Sequence, residues 1–368
     1  MSHKYLAAVI LVILSFSLVL SCASCGPPSF SSTQVKQMED IVQTAMSKGN
    51  IPGVIVGIWT PQGVWVKSFG KADIDKGTAM NTADKVRIAS NTKTVVATVL
   101  LQLVQEGKVS LDDKLSKYVP IVKDADNITV RQNLQMTSGT YSFTEDEQFG
   151  TDFTADPLMA ITPEQEIEIA NKHDNYFPPG QGCHYSDTNY EIAGLIIEKV
   201  TGNKLEDEVT NQVIKPLNLD KTEFPTTPDI TGAHSKGYVL QNGKLVDYTR
   251  VNPAIPWGGG AMVSNLYDVK TWVKALVSGK LLDKSMHDEQ MKTVVMGKGV
   301  GYGLGIADMG GFWGHNGSIF GFNSVMLYNP DRDATFVVMC NKSDNESDEA
   351  TKIVAPLIKV VYPSGVKK

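Results

Sequence analysis

The chain has 368 residues, 42% hydrophobic and 20% charged, an ordinary globular composition with length enough for a large core in one or two domains. Its formal net charge is −6 and it has no basic run, which argues against a nucleic-acid partner. The six histidines are scattered and no H-E-x-x-H occurs, so no metal site and no cofactor is expected.

The N-terminal segment reads as a targeting signal rather than as part of the fold. Lys4 precedes an apolar run, Tyr5 to Leu20, that ends at Ser21-Cys22-Ala23-Ser24-Cys25-Gly26, the pattern of a secretory signal. Val19-Leu20-Ser21-Cys22 resembles a bacterial lipobox, in which Cys22 would be lipidated after cleavage. Cleavage near Ala23 without lipidation, and an uncleaved anchor helix, are the alternatives. All three place the body outside the cytoplasm, secreted or held to a membrane by its lipid. Residues 1–22 are thus assigned to the signal and lipobox, and 23–31 to a short tether.

Beyond the tether, "SSTQVKQMEDIVQTAMSKG" has apolar residues at helical spacing and stops at Lys48-Gly49. "IPGVIVGIWTPQGVWVKSFGKAD" holds two β-rich runs around Pro61-Gln62-Gly63, a hairpin signal. A helix opens near Ser90. From about 110 to 250 helical patterns alternate with polar loops, Tyr190 to Leu219 being the clearest pair, and Asn265 to Lys280 is another amphipathic helix with a glycine stop. After residue 300 the pattern changes to three or four strands with a turn at Asn329–Asp333, closed by a helix that contains Pro356.

This order predicts an α and β fold. An antiparallel sheet of about five strands joins the N-terminal pair to the C-terminal set. The terminal helices pack on a face of it, and a large mostly helical domain is inserted. The boundaries are 32–93 plus 255–363 for the α/β domain and 94–254 for the helical one. Cys22 and Cys25 fall in the processing region; Cys183 and Cys340 fit no metal spacing and are either buried thiols or a disulfide.

Three Ser-x-x-Lys matches occur, at Ser68, Ser90 and Ser364. Ser68 and Lys71 lie in a strand-like run, where residues three apart face opposite ways. Ser364 is in a polar tail. Only Ser90 and Lys93 fall where i and i+3 share a helix face. A serine hydroxyl needs a nearby base to become a nucleophile. A lysine one turn on serves if burial or a neighbouring positive charge lowers its pKa. The helix N-terminus adds its dipole and free N–H groups. The competing reading is that Ser90 is simply an N-cap.

Two further stretches favour catalysis. Tyr185-Ser186-Asp187 sits in a loop before a helix, and a tyrosine beside a cationic lysine is a candidate acid or base; a packing tyrosine is the alternative. His315-Asn316-Gly317-Ser318 lies in an apparent strand whose glycine permits close approach and whose edge would pair with a peptide substrate; otherwise it is a turn between strands.

Ser-x-x-Lys at a helix start, Tyr-x-Asn in a loop and Lys/His-x-Gly on a late strand, in this order, are the motifs of the penicillin-recognising serine hydrolases. The chain resembles that family, in the branch of class C β-lactamases, serine DD-carboxypeptidases and their esterase relatives, nearest to secreted D-Ala-D-Ala carboxypeptidases with a His-Thr-Gly motif. The likeness covers nearly the whole mature chain and implies a β-lactamase/transpeptidase-like fold. It implies that Ser90 is the acylated nucleophile and that Lys93 helps remove its proton. Tyr185 would pass a proton to the leaving group and later activate water. His315 would take the third-motif cation position and tune Tyr185. The oxyanion donors would be the backbone N–H groups of Ser90 and Ser318. Asn316 and Gly317 would bind substrate, Trp257 would form a wall of the site, and Tyr141 would flank the cleft.

Two departures stand out. Asp187 replaces the asparagine of Tyr-x-Asn; an ionised aspartate only accepts hydrogen bonds. It would hold Lys93 in place, but as a stronger cation and a weaker base. After Gly301-Tyr-Gly-Leu-Gly-Ile306, the carboxypeptidases carry an arginine for the substrate's terminal carboxylate; here Ala307 follows and no basic residue is near. The expected function is an extracytoplasmic serine hydrolase forming an acyl-enzyme on a small peptide, β-lactam or ester. It would be D-Ala-D-Ala carboxypeptidase-like or β-lactamase-like, with a carboxylesterase or a non-catalytic penicillin- or peptidoglycan-binding protein as alternatives. No G-x-S-x-G occurs, so an α/β-hydrolase is not expected.

Overall fold

A computed structural model describes residues 29–297, 299–344 and 348–364. The expected signal, Cys22 and the tether as far as residue 28 lie outside the described residues. Phe30 is no part of a free tether: it is buried in a core with Met38, Val54 and Trp65. Ser31 accepts the Gln34 N–H while the Gln34 side chain accepts from the Ser31 N–H, a capping box that starts α1 (Ser32–Gly49).

The hairpin β1 (Gly53–Thr60) and β2 (Gly63–Asp73) follows, with β3 (Thr78–Ala79) and β4 (Val86–Arg87). A 3₁₀ turn, Ala89–Asn91, leads into α2 (Thr92–Gln105). The helical block holds α3 (Val130–Leu134), α4 (Glu147–Ala155), α5 (Pro163–Asn171) and α6 (Thr188–Thr201). In it α7 (Leu205–Val209) continues through a π turn into α8 (Lys215–Leu217), before a hairpin of β5 (Tyr238–Gln241) and β6 (Lys244–Asp247). Then come α9 (Trp257–Gly260), β7 (Val263–Ser264), α10 (Leu266–Val277) and α11 (Lys284–Gln290). The chain finishes with β8 (Val294–Gly297), β9 (Val300–Tyr302), β10 (Ala307–Asp308), β11 (Trp313–Ile319), β12 (Phe322–Asn329), β13 (Ala334–Cys340) and α12 (Glu349–Val361).

The main sheet is antiparallel in the order β3-β2-β1-β13-β12-β11-β10-β9-β8. It joins the N-terminal hairpin to the C-terminal strands as expected, but has nine strands rather than about five. The five long ones, β2, β1, β13, β12 and β11, run 7 to 11 residues and show a readable pattern. The other four have 2 to 4 residues, too few for a period-two signal: β9 and β10 fall in the stretch after residue 300 expected to hold strands, while β3 and β8 fall where none was expected.

Both faces of the central strands are buried. Val54, Val56, Ile58, Val325, Leu327, Phe336 and Val338 point to a core under α1 and α12. Ile55, Met326, Val337 and Met339 point the other way, into a core that continues through Val96 and Leu100 of α2, Trp272 of α10 and Ile192 and Ile196 of α6. That second core runs unbroken across the expected boundary at residues 93 and 94, so the helical block is built onto the sheet through α2. Cys183 and Cys340 are free thiols, the first half-buried and the second buried in β13.

Candidate active site

The turn that carries Ser90 is stapled in place by neighbours. Asn91 Nδ2 donates to Ile88 O (2.9 Å) and to Ser324 Oγ of β12 (2.8 Å), and Ser324 Oγ in turn donates to Ile88 O (3.0 Å). Thr94 Oγ1 donates to Asn91 O (2.7 Å) and accepts from Trp272 Nε1 (2.8 Å). Ala89 is held at φ 50°, a left-handed conformation costing a non-glycine residue about 1–3 kcal/mol, which these bonds impose. Ser90 is not a helix cap: Asn91 occupies that position and Ser90 Oγ faces Lys93.

Lys93 is fully buried, and its ammonium has three acceptors: Asp187 Oδ1 at 2.5 Å, Gly259 O at 2.8 Å and Ser90 Oγ at 3.1 Å. Three N–H groups meet three acceptors, as a protonated lysine requires. Burial alone would lower the Lys93 pKa, but Asp187 outweighs it and the net direction is upward. The lysine is therefore a cation in the resting site. Asp187 is fixed by Thr144 Oγ1, which donates to its Oδ2 (3.0 Å), and its own N–H donates to Ser142 Oγ (3.0 Å).

Tyr185 lies over this pair, with Lys93 Nζ 5.0 Å from its ring centre. Its hydroxyl is sealed from solvent and makes no hydrogen bond of standard geometry, but it lies close enough to Lys93 and Ser90 for both to act on its ionisation. Burial raises its pKa; Lys93 pulls it back, Asp187 pushes it up, and the net direction is upward rather than the easier ionisation expected beside a lysine.

His315 differs from expectation in the same way. Its Nδ1 donates to Asn316 O (2.5 Å), a group that can only accept. Its Nε2 then accepts from Tyr302 Oη (3.1 Å). Burial, helped by Lys93, lowers its pKa to about 4, so it stands neutral and the cation of the site is Lys93. Its ring centre is 6.0 Å from that of Tyr185.

Strand β11 pairs with β12 throughout but with β10 only at Trp313 and Gly314, so from His315 onward its second edge carries no strand and turns toward Ser90. Gly317 makes the approach possible: a Cβ there would stand 2.4 Å from Ile88 O and 2.9 Å from Ser90 N. Ser90 and Gly317-Ser318 thus face each other across a cleft of about 510 Å³.

The cleft is apolar on one side and acidic elsewhere. Phe143, Phe149, Phe153 and Phe320 form a chain of ring contacts with centres 4.9 to 5.9 Å apart. Glu145, Asp187 and Glu191 also line it; among the described residues no lysine, arginine or histidine does. Asn316, Gly317 and Ser318 border it. Trp257 and Tyr141 do not. The Trp257 indole packs on α6, where a Cβ at Gly194 would stand 2.6 Å from the ring, and its neighbours Pro256, Gly259 and Gly260 form the wall. Tyr141 stacks on His173 (4.0 Å) behind Phe143, Thr144 and Glu145. The phenylalanine cluster and Glu191 escaped the sequence reading; the one available signal for Glu191 is its place four residues after Asp187, on the same helix face.

The Beta-lactamase family model matches residues 38–358. Protein flp of Staphylococcus aureus strain N315 is 28% identical over 323 residues, covering 83% of this chain; the chain spans 63% of the length of that relative. The putative penicillin-binding protein PbpX of Bacillus subtilis is 26% identical over 284 residues, 76% of this chain and 68% of PbpX. Among solved structures, a D-stereospecific amidohydrolase from a Streptomyces species superposes with a TM-score of 0.79 at 32% identity, covering 90% of this chain and 99% of the other.

Proposed function

Because the chain belongs to the beta-lactamase family, the penicillin-recognising serine hydrolases, we propose that it is an acyl-enzyme amidohydrolase or esterase whose substrates carry an apolar group and no free carboxylate at the scissile end. The observation that carries this reading is the lining of the cleft: aromatic rings, three carboxyl side chains and no basic residue among the described ones. Asp187 is paired with Lys93 and burial keeps Glu191 protonated near neutral pH, so a terminal carboxylate would meet the Glu145 carboxylate and no free cation there, which a neutral amide, an ester or a protonated amine does not require. The name of the Streptomyces amidohydrolase fits this preference. The D-Ala-D-Ala carboxypeptidase reading needs a partner for the substrate's terminal carboxylate, which Asn316 and Ser318 would have to supply alone.

In this mechanism Ser90 Oγ attacks the acyl carbonyl, and the O–C bond forms as the bond to the leaving group breaks. Lys93 stays protonated and, held by Asp187, stabilises the negative charge growing on Ser90. The serine proton passes to Tyr185 Oη while the Tyr185 proton passes to the leaving group. This concerted relay requires neither a neutral lysine nor a tyrosinate, and water reverses it to release the acid. The N–H of Ser90 lies in the first turn of a helix start, where no preceding carbonyl takes it, and together with that of Ser318 it would bind the oxyanion. His315 stays neutral and orients Asn316.

Intact-mass analysis after exposure to a penicillin and to an activated phenyl ester tests the reading. One adduct on the Ser90 peptide is expected, absent in Ser90→Ala; an adduct that survives the substitution overturns it. The apolar N-terminal run and Cys22 support an extracytoplasmic, lipid-anchored location, which predicts membrane partitioning that Cys22→Ala abolishes.

A further inference from the structure

Glu191 belongs to none of the three motifs, yet it is fully buried in the wall of the cleft. Its Oε1 accepts the Gly259 N–H (3.0 Å) and its Oε2 the Gly258 N–H (3.4 Å). The carbonyl of that same Gly259 is an acceptor of Lys93. A Cβ on Gly259 would stand 3.2 Å from Glu191 Oε1, 3.3 Å from Lys93 Nζ and 3.5 Å from Asp187 Oδ1, so the three charged groups ring one small space. Behind Glu191, Glu166 of α5 is fully buried with neither carboxyl oxygen hydrogen-bonded.

We propose that Glu191 is a positioning residue for acylation of Ser90: it pins the Gly258–Gly259 backbone so that Gly259 O seats the Lys93 ammonium on the serine, and its charge state sets the electrostatic balance around Lys93 and Tyr185. The inference rests on the acyl-enzyme reading above.

The titratable groups facing Glu191 are Lys93 from α2, Asp187 at the start of α6 and Glu166 from α5, with Tyr185 lining the same cleft; α9 presents its backbone. Burial, with Asp187, raises the Glu191 pKa to about 8 against the pull of Lys93 and the two glycine N–H groups. While Glu191 is protonated, Lys93 and Asp187 balance one another. Once it ionises, the site carries an uncompensated negative charge. That charge opposes the oxyanion and pushes the Tyr185 pKa higher still. Acylation should therefore slow as pH rises through about 8.

The test is the rate of Ser90 acylation by a neutral activated ester, followed by intact mass from pH 5 to 10, for wild type, Glu191→Gln and Glu191→Ala, with thermal melts of each. The wild type should lose about tenfold or more per two pH units above the break. Glu191→Gln, which cannot ionise and keeps an acceptor oxygen for the Gly259 N–H, should lose that decline, and its rate at pH 6 should fall less than that of Glu191→Ala. Glu191→Ala frees the turn and should slow acylation about tenfold to a hundredfold with little change in KM. A purely structural glutamate would lower the melting temperature and leave the alkaline limb in place, which overturns the proposal. So does a wild-type profile with no break near pH 8, a measurement that needs no variant. If the wild type takes no acyl group on Ser90, both this inference and the function reading fall. If it does, and Glu191→Gln keeps the same profile, only the inference falls.

Discussion

Lys93 Nζ donates to Asp187 Oδ1 at 2.5 Å, the shortest of its three bonds, and this ion pair separates the chain from the Tyr-x-Asn pattern of the family it resembles. Asp187→Asn keeps an acceptor but removes the charge. The present pair raises the folded Lys93 pKa, so its stabilisation is complete below the unfolded value of about 10.4 and is lost only as pH climbs through the folded value. Without the carboxylate, burial dominates and the folded pKa drops below the unfolded one. The variant then binds fewer protons folded than unfolded, and its stability rises with pH. Breaking a buried pair costs about 3–5 kcal/mol, and the low end applies because Asp187 is 25% exposed. Melts should show the loss larger at pH 6 than at pH 9; equal losses would contradict the account.

Gly317→Ala probes the approach of β11 to Ser90. The new methyl would stand 2.4 Å from Ile88 O, so the Ser90 turn or the strand must give way. Overpacking of this kind costs about 1–3 kcal/mol, while a displacement near 1 Å at the reacting atoms costs about a hundredfold in rate. The expected result is kcat down by that order with a melting temperature only a few degrees lower. Unchanged kcat would remove Gly317 from the site.

That Ser90, Tyr185 and the late strand converge was legible in the sequence because each sits at an element boundary with a distinctive local signature: a polar cluster opening an apolar helix, a loop before a helix, a glycine in a strand. The long strands were legible for the same reason, through residues such as Val54 to Thr60. The protonation states were not. The resemblance makes His315 a cation, but its burial against Tyr185 and Tyr302 and its bond to the adjacent Asn316 carbonyl make it neutral; the first depends on residues distant in sequence and the second on side-chain direction. Trp257 and Tyr141 are expected at the cleft only through the resemblance to the family. Their rings instead face Gly194 and His173, a matter of side-chain direction that spacing does not encode. Glu191 lies inside the amphipathic pattern that begins at Tyr190, and no motif singles it out.

The lining of the cleft predicts discrimination by charge. An amide or ester of a hydrophobic acyl group should exceed the matching free-acid peptide in kcat/KM by about tenfold or more, equivalent to about 1.4 kcal/mol. Raising the salt concentration should narrow the gap, since screening weakens the repulsion from Glu145, the lining carboxylate with no cation beside it among the described residues. A panel of phenylalanine amide, its methyl ester and N-acyl-D-Ala-D-Ala measures it. A hundredfold preference for the free acid would show that another cation reaches the site and would restore the carboxypeptidase reading.

Glu166 offers a stability test that leaves the catalytic groups untouched. Its carboxyl has no hydrogen-bond partner, and burial, with Glu191 and Asp187, raises its pKa well above the ordinary carboxylate range. A raised carboxyl pKa stabilises the fold only relative to the charged form. Its contribution is full below the unfolded value of about 4.3 and is lost as pH rises toward the folded one. Between those limits the unfolded chain releases a proton that the folded chain must keep, so the folded state grows steadily less favourable. Glu166→Met fills the same space with no group to ionise. An unpaired buried polar group costs about 1–3 kcal/mol, so the substitution should stabilise the protein, and by more at pH 8 than at pH 5. Melting curves at the two pH values decide it. An increment independent of pH would mean that Glu166 already ionises in the fold, and a loss at both would mean that its carboxyl has a partner that the buried geometry conceals.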